Sequence, residues 1–159
     1  EQWPVFGVSW EDGMAFCAWK RGRDGGLVTL LHEMEWEKAA RGTDRRYFPF
    51  GQHLDERWCN TNRSNPEGMR PVVVGEFPFD ESPFGVRGLG GNSRDACLND
   101  PGPEYPGWRL SCGGLWAAAG LRCRATDRMG GTPRSVSYGL GFRVGCVARL
   151  SRTPSPASL

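Results

Sequence analysis

The chain has 159 residues, a formal charge of +2, 23 glycines and 12 prolines, with 38% hydrophobic residues; that suits one domain with its own core and excludes a fold built on long helices. Lysine occurs only at Lys20 and Lys38, so there is no clustered basic surface for nucleic acid or an anionic membrane. No apolar run reaches the length of a membrane span and no signal-peptide layout opens the chain, so the reading is a soluble chain, cytoplasmic or held at a cell surface through segments it does not contain.

In chain order, "SWEDGMAFCAWKRG" predicts a short helix. Ser9 is its N-cap, Glu11 and Asp12 lie in its first turn, Trp10, Met14 and Cys17 share one face, and it ends near Gly22. "HEMEWEKAARG" predicts a second, with Glu33, Glu35 and Glu37 early, Lys38 and Arg41 late, and Gly42 as a left-handed C-cap. Its glutamates are read as dipole and solvation partners rather than as catalytic carboxylates. From Tyr47 to Pro106 the Asn, Asp, Gly and Pro content predicts long loops organised by their own side-chain bonding. "WRLSCGG" and "LGFRVGCVARL" read as strands; in the second, Phe142, Val144, Cys146, Ala148 and Leu150 alternate with Arg143, Gly145 and Arg149. Residues 1–150 are taken as a single domain and 151–159 as a disordered tail, with no internal repeat.

The six cysteines, Cys17, Cys59, Cys97, Cys112, Cys123 and Cys146, form no C-x-x-C pair, and only His32 and His53 are available to complete a metal site, which argues against structural zinc. Buried free thiols and one or more disulfides both remain open.

Four segments, "PVFGVSWEDGMAFCAW", "LLHEMEWEKAARG", "SPFGVRGLGGNSRDAC" and "CGGLW…GFRV", resemble in order the motifs of the formylglycine-generating-enzyme (sulfatase-modifying factor) superfamily. Leu31 and His32 stand where that family usually has Pro and Thr, Leu115 where it has Ser, and the family strands that usually precede "GVSW" are not in the chain. The resemblance implies an α+β, C-type-lectin-like fold with two short helices, small antiparallel sheets and long structured loops. Oxidase members bind copper through two cysteines; the second corresponds here to Cys123, and the first position is Ala118. A single thiolate is a poor match to a soft two-sulfur copper site, and neither histidine belongs to a cluster that could hold non-haem iron.

A subset of that superfamily fits better than its oxidase members: the chain resembles the variable proteins of diversity-generating retroelements. Their frame is matched by Gly113, Gly114, Trp116, Cys123, Arg124, Arg128, Pro133, Leu140, Gly141, Phe142 and Arg143. Adenine-directed mutagenesis of asparagine codons in such systems never yields Lys, Glu, Gln, Met or Trp, and between Trp116 and Phe142 only Met129 falls outside the reachable set. The resemblance implies a scaffold of Gly113, Gly114, Trp116, Cys123, Phe142 and Arg143. It implies a variable, ligand-binding surface of Leu115, Ala117, Ala118, Ala119, Leu121, Arg122, Asp127, Met129, Gly130, Ser135, Val136, Ser137, Tyr138 and Gly139. Of these, Leu121, Arg122, Met129 and Tyr138 are the expected anchors. The partner would be a protein bound by a monomer, with no catalytic residue and no required cofactor. The other readings are a copper-dependent oxidase, with Cys123 as a nucleophile, and an inactive relative, with the segment as a structural loop and Cys123 as a buried thiol. Calcium held by "CNTNRSN" and "CLNDPG" is set against a plain turn role for those residues.

Overall fold

The computed structural model describes residues 2–147. Helix α1 (Trp10–Asp24) starts where Ser9 and Asp12 form a reciprocal capping box, and it outruns the expected end at Gly22 because Gly25, at φ +70°, supplies the cap. Helix α2 (Glu33–Arg41) begins on His32, whose ring nitrogen accepts the Met34 N–H while Glu35 accepts the His32 N–H; Gly42 closes it at φ +65°. No helix among the described residues is long and apolar enough to cross a membrane.

Between them lies β1 (Leu27–Leu30), which alternates exposed and buried residues over too short a run to be recognised in the sequence. It pairs antiparallel with β6 (Val144–Val147). A four-stranded sheet has the order β4 (Arg128–Gly131), β3 (Arg109–Cys112), β2 (Arg94–Ala96), β5 (Leu140–Gly141), with only β2–β5 parallel.

"LGFRVGCVARL" is thus two strands in two sheets rather than one. The break falls at Phe142, whose ring centroid is 5.4 Å from that of Phe16, and Arg143, which turns inward to Asp95. The expected buried face fails at Cys146, which is exposed. Ala148, Leu150 and the tail lie outside the described residues.

Trp36 and Ala40 of α2 pack on Leu89, Leu110 and Ala125, which fixes the helix against the sheet. Cys17 of α1 packs with Val28, Leu30 and Ala96. The loop-rich middle holds itself together through amides: Asn60 Nδ2 donates to Arg70 O and to Asn92 Oδ1, and the Val72 N–H donates to Asn92 Oδ1. This satisfies buried polar groups that no ladder reaches.

Candidate functional site

The segment from the end of β3 to β5 crosses the sheet on a backbone pinned at many points. Gly113 has φ +85°, and a Cβ there would lie 3.0 Å from Leu89 O and 3.2 Å from the Trp36 ring. Gly114 donates to Gly90 O at 3.1 Å. Further along, Trp116 N–H donates to Asn92 O, Asn62 N–H donates to Ala118 O at 3.0 Å, and Ala125 N–H donates to Tyr47 O at 2.9 Å. A single 3-10 turn, Gly120–Cys123, tucks Gly120 under Leu54. The Trp116 ring rests on Tyr138 with centroids 5.5 Å apart, joining the start of the segment to its return.

An ionic network holds the far side. Arg94, buried in β2, donates to Asp127 at 2.9 Å and to Ser111 O at 3.0 Å, and Asp127 also accepts from Arg122 at 3.2 Å. Arg128 donates to Glu33 at 2.6 Å and to Glu37 at 2.5 Å. Glu33 and Glu37 are therefore more than solvated dipole partners: they clamp β4 to α2.

On this frame Ala119, Leu121, Arg122, Met129, Ser135, Val136, Ser137 and Tyr138 are exposed, while Leu115, Ala117 and Ala118 are half-buried. Three positions expected on the face belong to the frame instead. Gly139 is buried, and a Cβ on it would meet Leu115 at 2.9 Å; Gly130 lies under Trp108 at the same distance; Asp127 is consumed by its two arginines. Of the expected scaffold, Gly113, Gly114 and Cys123 are buried, and Trp116, Phe142 and Arg143 are half-buried.

Cys123 is not alone. Its thiol packs against Cys59 in a buried cluster with Phe48, and this thiol contact, with burial, pushes the Cys59 thiol well above its usual range. The two sulfurs come from loops far apart in sequence, so spacing gave no sign of them. Both residues are fully buried and Ala118 carries no donor, so this set does not fit an open copper site.

In the loops set out for calcium, Asn60 Oδ1 accepts from Asn65, Asn99 Oδ1 from the Glu33 N–H, and Asp100 Oδ1 from the Gly102 N–H. These oxygens hold turns, and Asn62 Oδ1 in those loops is a buried acceptor without a partner.

A cavity of about 620 Å³ lies between the N-terminal segment, α1, residues 72–77 and residues 141–144. Asp80 lines it and accepts from the Gly90 and Gly91 N–H groups; burial nevertheless pushes its carboxyl up to about 6. The folded chain thus holds this proton more tightly than the unfolded one, whose carboxyl titrates near 3.8. The stability it contributes is complete below that lower value and is lost as pH rises through about 6. Asp80→Asn is expected to remove this component, so urea midpoints measured across that window should converge on a flatter profile for the variant than for the wild type.

The sulfatase-modifying factor enzyme 1-like domain matches residues 1–148. "Inactive C-alpha-formylglycine-generating enzyme 2" of Bos taurus is 32% identical over 167 residues, covering 96% of this chain and 52% of that protein. "Formylglycine-generating enzyme" of Bos taurus is 29% identical over 170 residues, covering 88% and 43%. The chain thus spans about half the length of these curated relatives. Among solved structures, PvdO from Pseudomonas aeruginosa superposes with a TM-score of 0.80 at 22% identity, covering 90% of this chain and 61% of that one. Treponema denticola variable protein 1 superposes with a TM-score of 0.78 at 20% identity, covering 91% and 71%. At these identities the structural likenesses establish the α+β, C-type-lectin-like fold.

Proposed function

The chain belongs to the sulfatase-modifying factor enzyme 1-like family, and from that premise we propose that it is a non-enzymatic binding domain of the retroelement variable-protein kind. Its display face would be the segment from Leu115 to Tyr138. The observation that carries this reading is the contrast within that segment: a backbone fixed by Gly113, Gly114, Gly120 and Cys123 presents exposed side chains at Leu121, Val136, Ser137 and Tyr138. Such side chains can change without unfolding the scaffold, because they fill no core space. The ligand is a protein surface, bound by a monomer through shape and the anchors Leu121, Arg122, Met129 and Tyr138, with no cofactor required.

Replacing Leu121, Met129 and Val136 singly by Ala, Asn or Ser should leave the unfolding free energy read from urea titration within about ±0.5 kcal/mol of wild type. A cost of several times that at all three would mean that the face is structural. The genomic counterpart is a near-identical template repeat with a reverse transcriptase beside the gene; its clean absence sinks the retroelement reading.

The second reading, a copper-dependent oxidase, is supported by the family match and by the similarity to formylglycine-generating enzymes, not by the buried Cys59–Cys123 pair. Oxygen consumption with a cysteine-containing peptide that disappears in both Cys59→Ser and Cys123→Ser would establish it and overturn the binding-domain reading. An inactive relative is supported by the named inactive homologue and by Ala118.

A further inference from the structure

A second pair of thiols lies in the core at the base of the display segment. Cys97 follows β2 directly and Cys112 ends β3. The register places Asp95 opposite Cys112 and Ala96 opposite Ser111, and the Cys97 N–H donates to Leu110 O at 2.8 Å. Cys97 therefore stands opposite Leu110, two residues from Cys112 along β3, and strand alternation puts both side chains on one face. Their sulfurs meet across the diagonal at 3.4 Å, both residues fully buried. Contact with the Cys112 thiol, together with burial, holds the Cys97 thiol protonated well above its usual range, so the reduced pair is inert while the strands stay closed.

We propose that Cys97 and Cys112 form a disulfide when the chain folds in an oxidising medium, and that this bond clamps the base of the display segment. A bond needs the sulfurs at about 2.05 Å, an approach of about 1.4 Å from where they lie. Cys112 is followed directly by Gly113 and Gly114, which seat the display segment, and Cys97 lies two residues after Asp95, which holds α2 and Arg143. Joining them fixes these parts to one another. This inference rests on the thiol geometry alone and stands whether or not the surface above binds a ligand.

The oxidant is a low-molecular-weight disulfide such as glutathione disulfide. One protein thiolate attacks a glutathione sulfur, forming a mixed disulfide and releasing one glutathione thiolate. The second protein thiolate attacks the protein-side sulfur, forming the Cys97–Cys112 bond and releasing the other. The protein gives up two electrons and two protons, and the oxidant leaves as two thiols. Because both sulfurs are buried, the exchange takes place before β2 and β3 close or during their local opening.

The test uses the full chain, unfolded and refolded in a glutathione redox buffer or in dithiothreitol, then alkylated under denaturing conditions and digested with trypsin. Cleavage after Arg57, Arg63, Arg94, Arg109 and Arg122 leaves Cys59, Cys97, Cys112 and Cys123 on separate peptides. The expected result is one dominant cross-link, between the peptides 95–109 and 110–122, and a melting temperature ~5 °C or more above the reduced protein. Cys112→Ala should remove both the cross-link and the shift. Full alkylation of Cys97 and Cys112 after oxidative refolding, a cross-link to another cysteine instead, or a melting shift that persists in Cys112→Ala would each overturn the proposal. If Cys112→Ala fails to fold, the wild-type peptide map still decides.

Discussion

Gly114→Ala is expected to destabilise the domain by about 3 kcal/mol or more, at the upper end of what overpacking usually costs. A Cβ at Gly114 would lie 2.5 Å from Gly90 O and 2.7 Å from Cys123 Sγ. The first obstacle is backbone and cannot rotate away. The second is a buried thiol already packed on Cys59. Relief requires the chain after β3 to lift off the loop carrying Gly90, which breaks the Gly114 N–H to Gly90 O hydrogen bond as well. Gly22→Ala is the control: this residue sits inside α1, and a methyl group added there would meet nothing within 4 Å, so helix propensity alone should raise stability by about 0.5–1 kcal/mol. Thermal melts of the two variants should move in opposite directions. A Gly114→Ala protein as stable as wild type would remove the basis for treating this glycine as frame.

Asp95→Ala should cost about 3–5 kcal/mol, because it breaks a buried ion pair from one side. Asp95 is only 4% exposed. Its Oδ2 accepts the Trp36 indole N–H at 2.8 Å and the Arg143 Nε–H at 2.6 Å. Truncation leaves the indole donor unpaired in the core and a guanidinium supported only by the Arg87 and Gly88 carbonyls. Asp95→Asn keeps an acceptor at the site and should cost less, and combining Asp95→Ala with Arg143→Met should recover part of the loss by removing the stranded charge. Urea denaturation followed by tryptophan fluorescence reads all three. If Asp95→Ala and Asp95→Asn melt together with wild type, the carboxylate does not tie α2 to the C-terminal strands.

Both positions lie in segments whose sequence motifs point to the family, yet they differ in how far they can be read. Gly113 and Gly114 are legible as frame because paired glycines before a tryptophan are a local pattern. Asp95 is not, because its partners are 59 residues upstream and 48 residues downstream. The strand β2 escapes a reading of the sequence for the same reason: Arg94-Asp95-Ala96 is buried throughout and carries no alternation. Eight positions of the expected display surface are exposed. Gly130 and Gly139 are not part of it, since a glycine reads equally well as a mutable surface position and as a site of close approach. Cys123 looks solitary in the sequence because Cys59 lies on another loop.

By itself the sequence determined what short-range physics controls. It marked the helices by their caps, the first charges of each helix by the dipole, and the loop-rich middle by residues that bond to their own backbone. It also carried the motif order that identifies the family. Only the tertiary structure decided which charges are spent inside, which sulfurs touch, and which positions between Leu115 and Tyr138 face solvent. Those outcomes depend on burial and on pairs of side chains brought together across tens of residues, and no local pattern encodes the distance between two atoms that meet only after the chain has folded.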